Sequence, residues 1–331
     1  MSIIVRSLGS FEAEAKYNRV SRLGDRLDEL RDSINWEAFR PTLERAQPPV
    51  EGAGRPHYDA VFLFKMPTLQ AWYGLSDEQS EYQVADRFSF QKFLDFPEIV
   101  PDYTTVWQFR EALTKANVTK ELLDALNKQL DVKGLRVKKG CIQDATIIGA
   151  DPGKKRIAEL KNKSDKREAV SYSPNQLSHI DSDASSTCKR EQYYFGYKAH
   201  VKCDADQQLI RTVAVTTASV HDNQVDLATK GDNAMWRDKG YAGKPLRCKG
   251  VKDNTSLKAS RGHPLTDAQR RKNSLFSKVR CLGERPFAVI KRVFHGSRVF
   301  VKTIERVTTQ VSLRCFAYNI YRAFGISLAK A

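Results

Sequence analysis

Apolar residues recur at helical spacing through the first third of the chain and change to strand-like runs after Gly134. Leu27, Leu30 and Ile34 share one face of a helix predicted over Asp25–Ile34, and Val61, Phe62, Phe64, Leu69 and Trp72 make Asp59–Tyr73 a second, strongly apolar one. The Pro- and Gly-rich stretch from Gln47 to Pro56 reads as a linker between them. Ser76 and Gln79 have the spacing of a capping box opening a helix to Phe88, Ser89 is placed to cap a shorter one over Phe90–Phe96, and Pro97 and Pro101 end the run. Two more helices are predicted, Val106–Ala116 after Thr104 or Thr105, and Lys120–Leu130.

After Gly134 the first strand candidate is GLRVKKGCIQDATIIG, with Val137, Cys141, Ile142 and Ile147 as its apolar residues. Residues 151–192 are rich in Lys, Ser and Asp and read as loop with brief structure. YYFGYKAHVKC and QLIRTVAVTT form a predicted hairpin turning at Asp204-Ala205-Asp206-Gln207. A helix is expected over Asp222–Lys230, short strands over Ala234–Arg237 and Leu257–Ser260, and a long helix from about Thr266 through Phe294. The boundary implied is a helical N-terminal domain, 1–133, followed by a mixed α/β domain, 134–331.

Composition and charge sharpen this division. At 331 residues with 41% hydrophobic and 28% charged, the chain is that of a folded protein with room for about two domains, not a disordered basic tail. The formal net charge of +16 calls for an acidic partner, nucleic acid first. Residues 1–133 hold 17 Lys+Arg against 21 Asp+Glu, net −4, and residues 134–331 hold 38 against 18, net +20, so the basicity belongs to the second part. That part is the better candidate for gripping phosphates. Short helices with tight turns permit a helix-turn-helix reading of the first part, but its negative balance favours packing or dimerisation equally.

Six cysteines without a Cys-x-x-Cys pair suit reduced thiols better than a disulfide framework or a zinc site. No apolar run reaches the length of a membrane span, and the opening residues lack the apolar core of a secretory signal, so neither membrane insertion nor secretion is expected.

The chemistry-bearing candidates are acidic. Asp144 lies in the first strand, Asp238 ends a later one, and Glu284 sits on the long helix. A lone carboxylate is usually a surface charge. Three brought together by a sheet and its helix would repel one another and call for Mg²⁺ or Mn²⁺. Two such ions about 3.5–4 Å apart support in-line phosphodiester displacement, with the acids as ligands. Arg280 precedes Glu284 by one helical turn and Lys291 follows it by two, so all three share a face; an ordinary surface ion pair accounts for Arg280 alone. Lys198 and His200 alternate with apolar strand positions and would face either DNA or solvent. Lys239, Gly240 and Tyr241 follow Asp238 at a turn that either approaches a phosphate or simply links two elements. Asp222, next to His221, is read as a helix N-cap rather than a support for the acids, and Trp72, Trp107 and Trp236 as core.

Taken together, LQAWYGLSDEQSEYQVADRFSFQKFL, PDYTTVWQFREAL, IQDATIIGAD, YYFGYKAHVKCDADQQLI, TTASVHDNQV, RDKGYAG and RCLGERPFAVIKRVF resemble, in order, the landmarks of DDE transposases of the insertion-sequence-five group of bacterial and archaeal elements. The resemblance covers about residues 55–325. It implies an RNase H-like catalytic domain after a helical N-terminal domain, with Asp144, Asp238 and Glu284 as catalytic metal ligands for Mg²⁺ or Mn²⁺, two ions per site. The family's Tyr, Arg, Glu, Lys pattern places Arg280, Glu284 and Lys291 in register, with Ser277 at the Tyr position. Gly283 and Pro286 would kink the helix there. The DNA-contacting set is read as Arg280, Lys291, Arg292, Lys239, Tyr241, Lys198 and His200, together with the basic stretches 151–192 and 244–280. The expected activity is cleavage at the ends of the element and strand transfer into target DNA, by a homodimer or higher assembly in the nucleoid-containing cytoplasm of a prokaryote. A nuclease of the same fold without joining, and a decayed DNA-binding regulator, are the alternatives.

Overall fold

The computed structural model describes residues 10–47, 58–152, 173–175, 179–189 and 191–328; Pro48–Pro56 of the expected linker and most of the polar 151–192 stretch lie outside the described residues. The chain forms two compact units, Met1–Gln70 with Leu75–Ala112, and Ala71–Gly74 with Leu113–Ala331.

The first unit is helical: α1 (Ser10–Arg22), α2 (Arg26–Ser33), α3 (Arg40–Ala46), α5 (Asp77–Asp86), α6 (Phe88–Phe93), and most of α4 (Ala60–Tyr73) and α7 (Tyr103–Ala116). The Asp25 carboxylate caps α2 by accepting from the Leu27 amide at 3.0 Å, and Ser76 with Gln79 closes the expected capping box on α5. Asp102, rather than Thr104 or Thr105, opens α7, its carboxylate accepting from the Thr105 amide at 2.6 Å. Helix α6 starts a residue before Ser89, with Arg87 at the cap. The core is an aromatic cluster in which Trp36 lies edge-on to Phe93 with centroids 5.5 Å apart, and Phe39 tilts against Phe64 at 5.6 Å.

The second unit is built on one mixed sheet of β1 (Cys141–Gly149), β2 (Ser185–Lys189), β3 (Gln192–Asp204), β4 (Ile210–Thr217), β5 (Ala234–Arg237) and β6 (Lys252–Thr255), in the order β2-β3-β1-β5-β6 with β4 paired to β3. β1 runs antiparallel to β3, from Cys141 opposite Asp204 to Gly149 opposite Gly196, and parallel to β5. With helices packed against it, this is the RNase H-like arrangement. The hairpin turn at Asp204 is held by its own carboxylate, which accepts from the amides of Gln208 and Leu209, both at 3.2 Å.

Helix α8 (Thr119–Val132) packs with α11 (Ile304–Leu328) and β4, and the compact unit that holds all three begins its main stretch at Leu113. Asn127 and Asn319 lock the junction: the Asn319 amide donates to Asn127 at 3.0 Å, and its oxygen accepts from the Ile210 amide at 2.7 Å. Helix α11 has no clear apolar stripe, because Thr309, Ser312 and Asn319 are buried alongside Val311, Phe316 and Ile320.

Three expected elements take another form. Asp222–Lys230 is a 3-10 turn, Asp222–Gln224, followed by irregular chain, with His221 rather than Asp222 as its cap. Gln143 explains the extended chain, its amide donating to the Val225 carbonyl at 2.7 Å and accepting from the Leu227 amide at 3.1 Å. The last strand is β6, ahead of Leu257–Ser260. The long helix divides into α9 (Asp267–Arg280), a 3-10 turn over Cys281–Gly283, and α10 (Glu284–Arg292). Trp72 is buried as expected, whereas Trp107 is 45% exposed and is not core.

Candidate active site

The site grows from the centre of the sheet. On β1 successive side chains alternate faces. Gln143 is spent on the chain at Val225 and Leu227, which turns Asp144 to the other face. There the 3-10 turn ahead of α10 presses so closely that a Cβ on Gly283 would lie 2.7 Å from Ile142 Cγ2, two residues before Asp144. A glycine is needed for that approach, and it interrupts the helix where the acid-bearing turn begins.

Asp238 is the first residue after β5. The parallel register pairs Gln143 with Arg237, so Asp144 and Asp238 stand level on neighbouring strands. Asp238 caps the turn Lys239–Tyr241 by its backbone only; its carboxylate makes no cap hydrogen bond. Burial pushes the Asp144 carboxyl up to about 6, the Asp238 charge adds to this, and the Ala145 amide, Arg280 and Lys189 oppose it.

Glu284 opens α10 with its side chain 66% exposed. Arg280, at the end of α9, lies between the acids: its Nη1 is 3.9 Å from Asp144 Oδ2 and 3.8 Å from Glu284 Oε1. The carboxylates thus already share one cation, and hard oxygen donors around a positive charge are the donor set a divalent ion takes. Asp144, buried beside the Asp238 charge, offers oxygen donors of that kind. As they stand, no three His, Cys, Asp or Glu groups among the described residues are gathered closely enough to hold one, so Glu284 does not complete a three-acid cage.

The basic residues separate into two sets. Lys239 and Arg292 are exposed and Lys291 is half-buried, its ammonium held below the ordinary value by burial and by the charge of Lys189. Lys198 donates to the Val220 carbonyl at 2.7 Å and to Asp222 at 2.9 Å, an internal tie. His200 and Tyr241 face neither DNA nor solvent. The His200 ring is fully buried with Nε2 2.9 Å from Thr216 Oγ1, and burial lowers its pKa to about 4. Tyr241 is 1% exposed under the Arg237 guanidinium. Alternation points His200 outward and turn position points Tyr241 outward, but neither signal shows that the fold covers the side chain. Ser277 is exposed. Lys189, at the end of β2 and acting on both Asp144 and Lys291, was not singled out from the sequence; its only signal was membership of a basic stretch.

Residues 136–320 match the family described as "Transposase DDE domain", more than half of the chain. The chain belongs to the DDE transposases. Residues 14–112 match a second family, described as "Transposase domain", ending at the same residue as the first structural unit. No solved structure matches this transposase. The family implies DNA as partner and divalent metal as cofactor. Among the described residues no helix is long and apolar enough to cross a membrane.

Proposed function

We propose that this protein cuts DNA at the ends of its own element and joins the freed 3′-hydroxyl to target DNA, as an insertion-sequence-five type transposase. The observation that carries this reading is the level placement of Asp144 and Asp238 on adjacent parallel strands, with Arg280 linking Asp144 to Glu284. Asp144, Asp238 and Glu284 are the proposed metal ligands. Mg²⁺ or Mn²⁺, two ions per site, would supply activation of the attacking water or 3′-hydroxyl and stabilisation of the leaving oxygen. The elevated Asp144 carboxyl reflects an acid held ready in a desolvated place for a cation.

In this reading Arg280 neutralises Asp144 and Glu284 and is placed to reach a phosphate, while Lys239, Lys291, Arg292 and Lys189 hold the strand beside the acids. Lys198 acts at one remove, by fixing the Asp222 loop. Two element ends have to be brought together, so we place the working form as a homodimer or higher assembly on DNA, in the nucleoid-containing cytoplasm of a prokaryotic cell.

The test is incubation with a pre-cleaved element end, a plasmid target and Mg²⁺ or Mn²⁺. Joined product is expected. Hydrolysis without joining makes the protein a nuclease of the same fold, and DNA binding without either makes it a regulator.

A further inference from the structure

Between its sheet and the helices packed on it, the second unit encloses a small cavity whose lining is mostly apolar, with Ile148 of β1, Val201 of β3 and Phe287 of α10 among its walls. Two cations share that lining. Arg314 comes from α11 and Lys291 from α10. Arg314 Nη1 is shut off from solvent without a hydrogen-bond partner, and neither side chain forms an ion pair with a described carboxylate. The turn after α10 closes on the arginine stem, since a Cβ on Gly296 would lie 3.1 Å from Arg314 Cδ.

A charge kept out of water without a partner is among the costliest arrangements in a protein interior. Nothing in the lining offsets it. The Cys315 thiol beside Arg314 is pushed up to about 12 by burial, so it is neutral at physiological pH. Burial lowers Arg314 to about 10, which leaves the guanidinium charged there. Lys291 is held below its ordinary value by burial and by the charge of Lys189, so the nearest outside charge adds to the imbalance.

The missing group is therefore negative. A water molecule accepts a hydrogen bond from the guanidinium but leaves both charges unanswered. Thr146, two residues beyond Asp144 and on the same face of β1, adds a hydroxyl donor to the two cations. Size then selects among anions. The cavity leaves about 10 Å³ for the centre of a water-sized particle, which is room for one. A monatomic ion fits that space; a sulfate, a carboxylate ligand or a DNA phosphodiester does not.

We propose that this cavity holds a single halide ion, chloride under physiological conditions, bound by Arg314, Lys291 and Thr146. The ion joins α11 to α10, which opens on Glu284, and to β1, which carries Asp144. It stands independently of the transposase reading.

The experiment uses the full-length protein, with sodium chloride replacing sodium gluconate at constant ionic strength. Two quantities are read, the width of the chloride NMR line and the melting temperature. The wild type is expected to broaden the chloride line, bromide to remove the broadening by competition, and sulfate and gluconate to leave it. Chloride at about 100 times its dissociation constant is expected to raise the melting temperature by about 5 °C. Arg314→Met abolishes both responses, and Thr146→Val weakens chloride about tenfold. Should Arg314→Met fail to fold, Thr146→Val and the halide series on the wild type decide.

A wild type whose chloride line and melting temperature ignore chloride overturns the proposal. Responses that persist in Arg314→Met, or that Thr146→Val leaves at wild-type strength, overturn it by placing the ion elsewhere. Competition by sulfate as strong as by bromide overturns the assignment to a small ion.

Discussion

The two units use charge in opposite ways. In the helical unit cations are matched to carboxylates: Arg40 pairs with Glu37, Glu44 and Asp59, Lys65 with Asp95, Lys92 with Asp28, and Arg110 bidentately with Asp77. In the second unit Lys244, Lys258, Arg261 and Lys272 line a cleft without an ion pair, and the Asp238 charge makes Asp144 harder to ionise. Charge in the first unit is consumed by the fold. In the second, part is spent the same way, Lys202 on Asp232 and Arg211 on Asp131 and Asp204, and part is left available to phosphate and metal, where a DNA-cutting domain needs it.

The contrast breaks most sharply at the acids. Asp144→Asn, Asp238→Asn and Glu284→Gln are each expected to lower DNA cleavage by at least about 1,000-fold, the scale of removing a main electrostatic stabiliser, while leaving DNA binding and melting temperature near wild type. Near-normal cleavage by any one of them would remove that residue from the triad.

His200 sharpens the comparison, because it is kept neutral in a domain otherwise rich in positive charge. With its pKa lowered to about 4 from 6.5, the unfolded chain takes up a proton the folded protein refuses, so stability falls as the pH drops from about 6.5 to 4. The loss is about 3 kcal/mol at most. Denaturant melts across that range should show the slope, and His200→Gln should flatten it.

Arg110 tests the other side. Asp77 is driven up by burial but more strongly down by hydrogen bonds and charge from Arg110 and by Gln70, so it sits below its ordinary 3.8. Its contribution is present above that value and lost as the pH falls through the lowered one. Arg110→Met is expected to cost about 2 kcal/mol at neutral pH, less than a fully buried pair, with the gap to wild type closing as the pH falls through the lowered Asp77 value. A constant gap would place the loss in packing instead.

The smallest effect is at Gly283. Its alanine variant should lose about 1 kcal/mol through overpacking on Ile142, and cleavage should fall further than stability, because the turn carrying Glu284 is displaced from Asp144. Equal melting and activity would show that the close approach does not position the site.

Much of this was readable in the residues. Asp25, the capping box at Ser76 and the hairpin turn at Asp204 announce themselves because short-range hydrogen bonds decide them. Motif order points to Asp144, Asp238 and Glu284 as the acids to test, and Gly283 with Pro286 announces the observed break before Glu284. What could not be read was the second layer. Tyr241 and His200 were placed outward because alternation gives two faces and does not say that both are covered. Helix α11 gives no readable signal because a helix buried on nearly all sides carries no apolar stripe.

The sequence by itself determined the helical first unit, the strands β1, β3, β4 and β5, and the concentration of positive charge after residue 133, since all of these follow from local hydrogen bonding, side-chain period and composition. The tertiary structure alone decided which charges are spent and which are free. Lys198 is consumed by Asp222 and Arg237 by Asp253, while Lys258 and Lys272 face an empty cleft. The physical reason is that neutralisation depends on distances of a few ångströms between residues far apart in the chain, and only the folded sheet sets those distances.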